Sequence, residues 1–98
     1  MIDIPKKELR TVKIILRKHL PNCEIRAFGS RVADTAKPYS DLDLAIVGIE
    51  KLPLTTIFSV KEEFQESNIP FRVDIIDWNR ISDSFRKIIE KQYEIIDL

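Results

Sequence analysis

Hydrophobic positions recur along this chain with two different periods. From residue 5 to residue 20 the period is helical. Leu9, Val12, Leu16 and His19/Leu20 fall three or four residues apart, and Ile15 widens the stripe. Lys6, Lys7, Arg10, Lys13, Arg17 and Lys18 take most of the other positions. Such a stripe predicts an amphipathic helix with one face on a core. Pro5 suits its first turn, where a missing N–H costs nothing, and Pro21-Asn22 ends it. The helical period returns after Pro53, with Leu54, Ile57, Val60/Lys61 and Phe64, and stops near Ser67-Asn68. It returns once more with Ile81, Phe85, Ile88, Ile89 and Gln92, where Asn79 or Ser82 can cap the N-terminus.

Between these helices the period is that of strands. Residues 24–28, EIRAF, form a short strand broken by Gly29-Ser30. Residues 31–40 are mostly polar, with Lys37-Pro38 marking a loop. In residues 41–47, DLDLAIV, Asp41 and Asp43 point one way and Leu42, Leu44 and Ile46 the other. Residues 71–76, FRVDII, follow Pro70 as a third strand, with Arg72, Asp74 and Ile76 on one face. The tail YEIIDL is a candidate fourth. The order helix, strand, strand, helix, strand, helix predicts an α/β (α+β) domain, a small mixed sheet flanked by helices.

Composition bounds what such a domain can do. A chain of 98 residues is one domain, 1–98, with room for a core but not for separate catalytic and substrate domains. One Cys and one His leave almost no material for a thiolate or imidazole metal centre. Two glycines, Gly29 and Gly48, exclude any phosphate loop that needs three. No apolar run approaches the roughly 18–20 residues of a membrane span, and the N-terminus lacks a signal peptide, so a cytoplasmic protein is expected. Sixteen basic residues balance sixteen acidic ones, which argues against a general nucleic-acid coat. The balance is uneven, with a net of +5 over residues 1–33 and −5 over residues 34–98.

The acidic half holds the informative pair. Asp41 and Asp43 share a strand face about 7 Å apart along the backbone. Carboxylates this close raise each other's pKa unless a cation relieves them, and Mg²⁺ favours a few carboxylates together with substrate phosphates. Asp74, inside an apolar strand, is expensive unless paired or metal-bound; an exposed strand face, or an ion pair with Arg72 or another base, are the alternative readings. Asp77 is a rival third acid whose place beside Trp78-Asn79 better fits a turn or helix cap. Gly29-Ser30, at a strand end, lets backbone approach a ligand, and Arg31 adds a cation that suits a phosphate.

Gly29-Ser30, ten residues, then Asp41-Leu42-Asp43, with Asp74 on a later strand, resembles the signature of the DNA polymerase β-like nucleotidyltransferase superfamily. GSRVADTAKPYSDLDLAIVG, FRVDIIDW and FRKIIEK look like the minimal nucleotidyltransferases (MNT proteins) encoded beside HEPN-domain proteins. The resemblance implies that Asp41, Asp43 and Asp74 hold two Mg²⁺ ions and orient ATP or another nucleoside triphosphate for attack by an acceptor hydroxyl. It implies that Asp74 serves the acceptor side. Gly29 and Ser30 would hold the terminal phosphates, with Arg31, and less directly Lys37, beside the leaving group; a surface ion pair is the alternative for Arg31. It further implies an antitoxin that adenylylates a HEPN partner protein, in a hetero-oligomer or as a homodimer. Two alternatives are an antitoxin that works by occlusion alone and a transferase acting on a small molecule or an RNA end. Outside the motif, His19 reads as a helix-end residue and Cys23 as buried or half-buried, while Phe58, Phe64, Trp78 and Phe85 read as core.

Overall fold

The computed structural model describes residues 2–98. Its elements run α1 (Lys6–His19), β1 (Glu24–Phe28), β2 (Leu42–Val47), α2 (Leu54–Glu66), β3 (Val73–Asp77), a 3-10 turn (Trp78–Arg80), α3 (Asp83–Lys91) and β4 (Glu94–Ile96). The expected mixed sheet with flanking helices is therefore present, and the tail forms the fourth strand. Pro5 and Pro53 occupy the N-cap positions of α1 and α2, one residue before the helix proper. Arg17, Lys18 and His19 close α1, where cations complement the helix dipole. Ser82 caps α3 by accepting a hydrogen bond from the Phe85 N–H.

The strands lie in the order β3-β2-β1-β4. β1 pairs antiparallel with both β2 and β4. β2 and β3 are parallel, and α2 makes the crossover between them. Val12, Ile15 and Leu16 of α1 and Val60 and Phe64 of α2 bury one face of the sheet, meeting Ile25, Leu42, Leu44 and Ile46. Each of these fully buried aliphatic side chains contributes roughly 1.5–3 kcal/mol. Leu42, Leu44 and Ile46 are the inward half of the β2 alternation, so Asp43 is directed to the opposite face. There, Phe28 meets Phe85 edge-on at 6.0 Å, and the Arg26 guanidinium lies 4.8 Å from both the Trp78 and Tyr93 rings.

The reading of Phe58 as core is corrected by the structure: it is 62% exposed. Ile57, one residue earlier, takes the buried position, and neighbouring helical residues lie about 100° apart around the axis. Leu54 and Ile88, which the helical stripes included, are also exposed. Phe64 is buried, Trp78 and Phe85 are half-buried, and Cys23 is half-buried. His19 binds across to α2, with Nε2 2.7 Å from Glu63 Oε1.

Candidate active site

Asp43 stands at the centre of the open sheet face because β2 is a central strand. Its register partner on β1 is Phe28, and on β3 it is Asp74. Asp41 lies two residues earlier, immediately before β2. Leu42 N–H donates to Arg72 O at 2.9 Å and ties this strand entry to the approach to β3. Carboxylates from two sequence-distant segments, Asp41 with Asp43 and Asp74, thereby lie at one end of the β2–β3 pair.

Gly29 follows Phe28 directly and meets Asp43. A Cβ built at Gly29 would lie 2.4 Å from Asp43 Oδ2, and the backbone there has φ +80°. Both conditions select glycine: side chains rarely adopt that conformation, and a methyl group would collide with the carboxylate. The turn after it is closed by Val32 and Ala33 N–H groups, both donating to Gly29 O at 3.0 Å, and by Thr35 N–H donating to Ser30 O. Ser30 is thus held at the head of a turn that begins against Asp43.

The electrostatics are those of an undercompensated cluster. Desolvation, then Asp74 and then Asp41, push the Asp43 pKa up to about 6, while Arg72 pulls it back. Arg72 Nη2 lies 3.6 Å from Asp74 Oδ1, and Nε lies 4.0 Å from Asp41 Oδ2. Among the described residues no three carboxylate, imidazole or thiol groups already converge as a metal cluster. The donor set nevertheless suits Mg²⁺: all the donors are hard oxygens, and Asp43 carries repulsion that a divalent ion would remove.

The structure sets Gly29 against Asp43 and pairs Asp43 with Asp74, with Ser30 and Asp41 adjoining them along the chain, but it places Arg31 elsewhere. Arg31 is 3% exposed. Its guanidinium donates to the main-chain carbonyls of Ser40 (2.9 Å), Asp3 (2.8 Å) and Pro38 (3.1 Å), and it stacks 4.0 Å over the Phe71 ring. Those bonds fix the loop leading into Asp41. Arg31 therefore positions the acid strand, and its fork is not directed to a phosphate. Lys37 is exposed; its N–H donates to Ser40 Oγ within the same loop. Asp77 is a cap: Oδ1 accepts from Asn79 N–H, while Oδ2 accepts from Leu52 N–H and Arg80 Nε. Beside Asp74, between the end of α2 and the start of β3, lies a cavity of about 420 Å³ lined by Lys61, Phe64, Ile69, Phe71 and Arg72 among others. Strand alternation puts Arg72 on the Asp74 face, but its reach to Asp41 is a consequence of β2–β3 pairing that spacing does not reveal.

A mixed sheet with a glycine turn against one strand-borne aspartate, a second aspartate paired to it and a third just before β2 has the arrangement expected of a nucleotidyltransferase core. The family model described as "Polymerase beta, Nucleotidyltransferase" matches residues 10–97, and the chain belongs to that family. It is 48% identical over 95 residues to the Haemophilus influenzae protein named "Probable protein adenylyltransferase MntA", an alignment spanning 97% of this chain and 83% of that protein. Its fold matches a crystal structure of a toxin–antitoxin with AMP-PNP (TM-score 0.74, 22% identity, 89% of this chain and 70% of that one). It also matches a structure of the tri-AMPylated Shewanella oneidensis HEPN toxin in complex with MNT antitoxin (TM-score 0.69, 21% identity, 92% of this chain and 69% of that one). No described helix is long and apolar enough to cross a membrane.

Proposed function

We propose that this chain is an Mg²⁺-dependent adenylyltransferase. In this reading it moves AMP from ATP to a hydroxyl of a HEPN partner protein, the new phosphoester bond replacing the α–β phosphate bond as pyrophosphate leaves, and so acts as the antitoxin of a toxin–antitoxin module in the cytoplasm. The single observation that carries the chemistry is the register Asp43–Asp74, with Asp41 and Gly29 against it. The likeness to MntA supports the choice of AMP and of a protein acceptor.

In this reading residues 1–98 act as one minimal catalytic domain. Asp41, Asp43 and Asp74 are the residues that would hold two Mg²⁺ ions, Asp74 on the acceptor side. When bound, the ions neutralise phosphate charge and acidify the acceptor hydroxyl. Asp74, at the outer side of the trio, accepts the acceptor's proton on a carboxylate oxygen. Gly29 keeps the backbone low beside Asp43, and Ser30 offers its hydroxyl and N–H to the terminal phosphates. Arg31 holds the 37–40 loop so that Asp41 enters β2 in place. Phosphoryl-group transfer needs positioning and charge neutralisation above all, and these residues supply both.

The test is the intact mass of the HEPN partner after incubation with this protein, ATP and Mg²⁺. The expected result is a gain of one or more AMP groups that Asp41→Ala/Asp43→Ala abolishes. Labelling that persists in the double variant would overturn the site. Partner neutralisation that survives the variant without any labelling would favour occlusion instead.

A further inference from the structure

We propose that Arg72 is the resident counter-cation of the three-aspartate cluster, the group that a divalent metal ion displaces on binding. The inference rests on the reading of Asp41, Asp43 and Asp74 as the metal site, and it concerns how this chain holds that site without metal.

Arg72 is the one cation of the structure paired with two members of the cluster, Asp41 and Asp74, among the described residues. Both contacts, at 4.0 Å and 3.6 Å, are too long for hydrogen bonds, so charge alone holds the guanidinium there. Four arginines of the fold are anchored differently. Arg26, Arg31, Arg80 and Arg86 each have a polar partner within 3.2 Å. The Arg72 side chain is 72% exposed, which leaves it free to move. It also lines the cavity beside Asp74, so space for a second position adjoins the first. Its backbone, in contrast, is fixed by the bond from Leu42 N–H.

The charge arithmetic gives the direction of exchange. Three carboxylates face a single monovalent, solvated cation at salt-bridge range, and an exposed pair of this kind is weak. A compact divalent ion carries twice the charge and accepts direct coordination from the same oxygens. Of the two cations that line the cavity, it is Arg72 that lies within 4.0 Å of acids of the cluster.

The test is a Mg²⁺ titration of the full chain, without nucleotide or partner, followed by ¹H–¹⁵N NMR. Wild type, Arg72→Gln, Lys61→Gln and Asp41→Ala/Asp43→Ala are compared. Arg72→Gln is expected to bind Mg²⁺ about tenfold tighter, the factor for removing a unit charge about 6 Å from a divalent ion at the dielectric constant of water. Lys61→Gln is expected to stay close to wild type, and the Arg72 Nε–H resonance of the wild type should shift in step with Mg²⁺ binding. Equal or weaker binding by Arg72→Gln, while the double aspartate variant loses binding, overturns the role of Arg72 alone. Absence of Mg²⁺ binding in every protein overturns this inference; the metal-site reading itself is judged with nucleotide present, by the AMP-transfer test above.

Discussion

The β2–β3 pair carries an acid at each end, and the two ends are built on opposite principles. At one end Ile46 pairs with Asp77, whose side chain is 1% exposed. Its carboxylate is fully met: Leu52 N–H donates at 2.8 Å, Asn79 N–H at 3.0 Å and Arg80 Nε at 3.2 Å. Arg80 also donates to Leu52 O, and Asn79 to Gly48 O, so this end stitches the 48–53 loop to the sheet. At the other end Asp43 pairs with Asp74, beside Asp41, and the one cation at hand touches neither partner closely. A satisfied carboxylate stabilises a fold; an undercompensated cluster costs it stability and is the pattern of functional sites.

The sharpest way to break this comparison is to remove acids from each end and read different quantities. Asp41→Ala/Asp43→Ala should lower AMP transfer by on the order of a thousandfold or more, since charge neutralisation at the reacting phosphate is lost. Its unfolding midpoint in EDTA should not fall. Asp77→Ala should instead cost about 3 kcal/mol of stability in urea titration, because it leaves buried donors and Arg80 unmatched. If Asp77→Ala proves neutral in stability, the two ends do not differ as described.

Gly29→Ala tests the contact between the turn and the acid end. The left-handed backbone alone should cost about 1–2 kcal/mol in urea titration. The 2.4 Å approach to Asp43 Oδ2 should make the loss of transfer exceed the loss of stability. The smallest effect concerns pH. Asp43 titrates near 6 in the folded chain and near 4 when unfolded, so the folded state binds its proton more tightly. Both states are protonated below pH 4, and there Asp43 is without effect on stability. As pH rises from 4 through 6 the folded state loses stability, and above 6 the full cost is present. Asp43→Asn in EDTA should therefore be more stable than wild type at pH 8, by about 1 kcal/mol or less given solvent screening, and equal to it near pH 4. Equal stability at pH 8 would mean that burial and the neighbouring carboxylates do not disfavour the Asp43 charge as argued.

Much of this was legible in the chain itself, because strand alternation is a local property. The inward Leu42, Leu44 and Ile46 force Asp43 outward, whatever the rest of the fold does. The glycine at residue 29 signals close approach, and the structure supplies the atom approached. What was not legible depends on distant partners. Arg31 looks like a phosphate ligand when read beside Ser30, yet the carbonyls of residues 3, 38 and 40 enclose it. Phe58 looks like core until Ile57 is seen to occupy the covered angle of α2. The bridge from Arg72 to Asp41 exists only because β2 and β3 lie parallel in that register.

The most direct test of the central claim is anomalous diffraction from crystals of this protein grown with Mn²⁺ and a non-hydrolysable ATP analogue. The account predicts manganese density among Asp41, Asp43 and Asp74, with phosphates at Gly29-Ser30 and the Arg72 guanidinium withdrawn from the acids. Manganese bound elsewhere, or nucleotide bound with those carboxylates still facing Arg72, would contradict it.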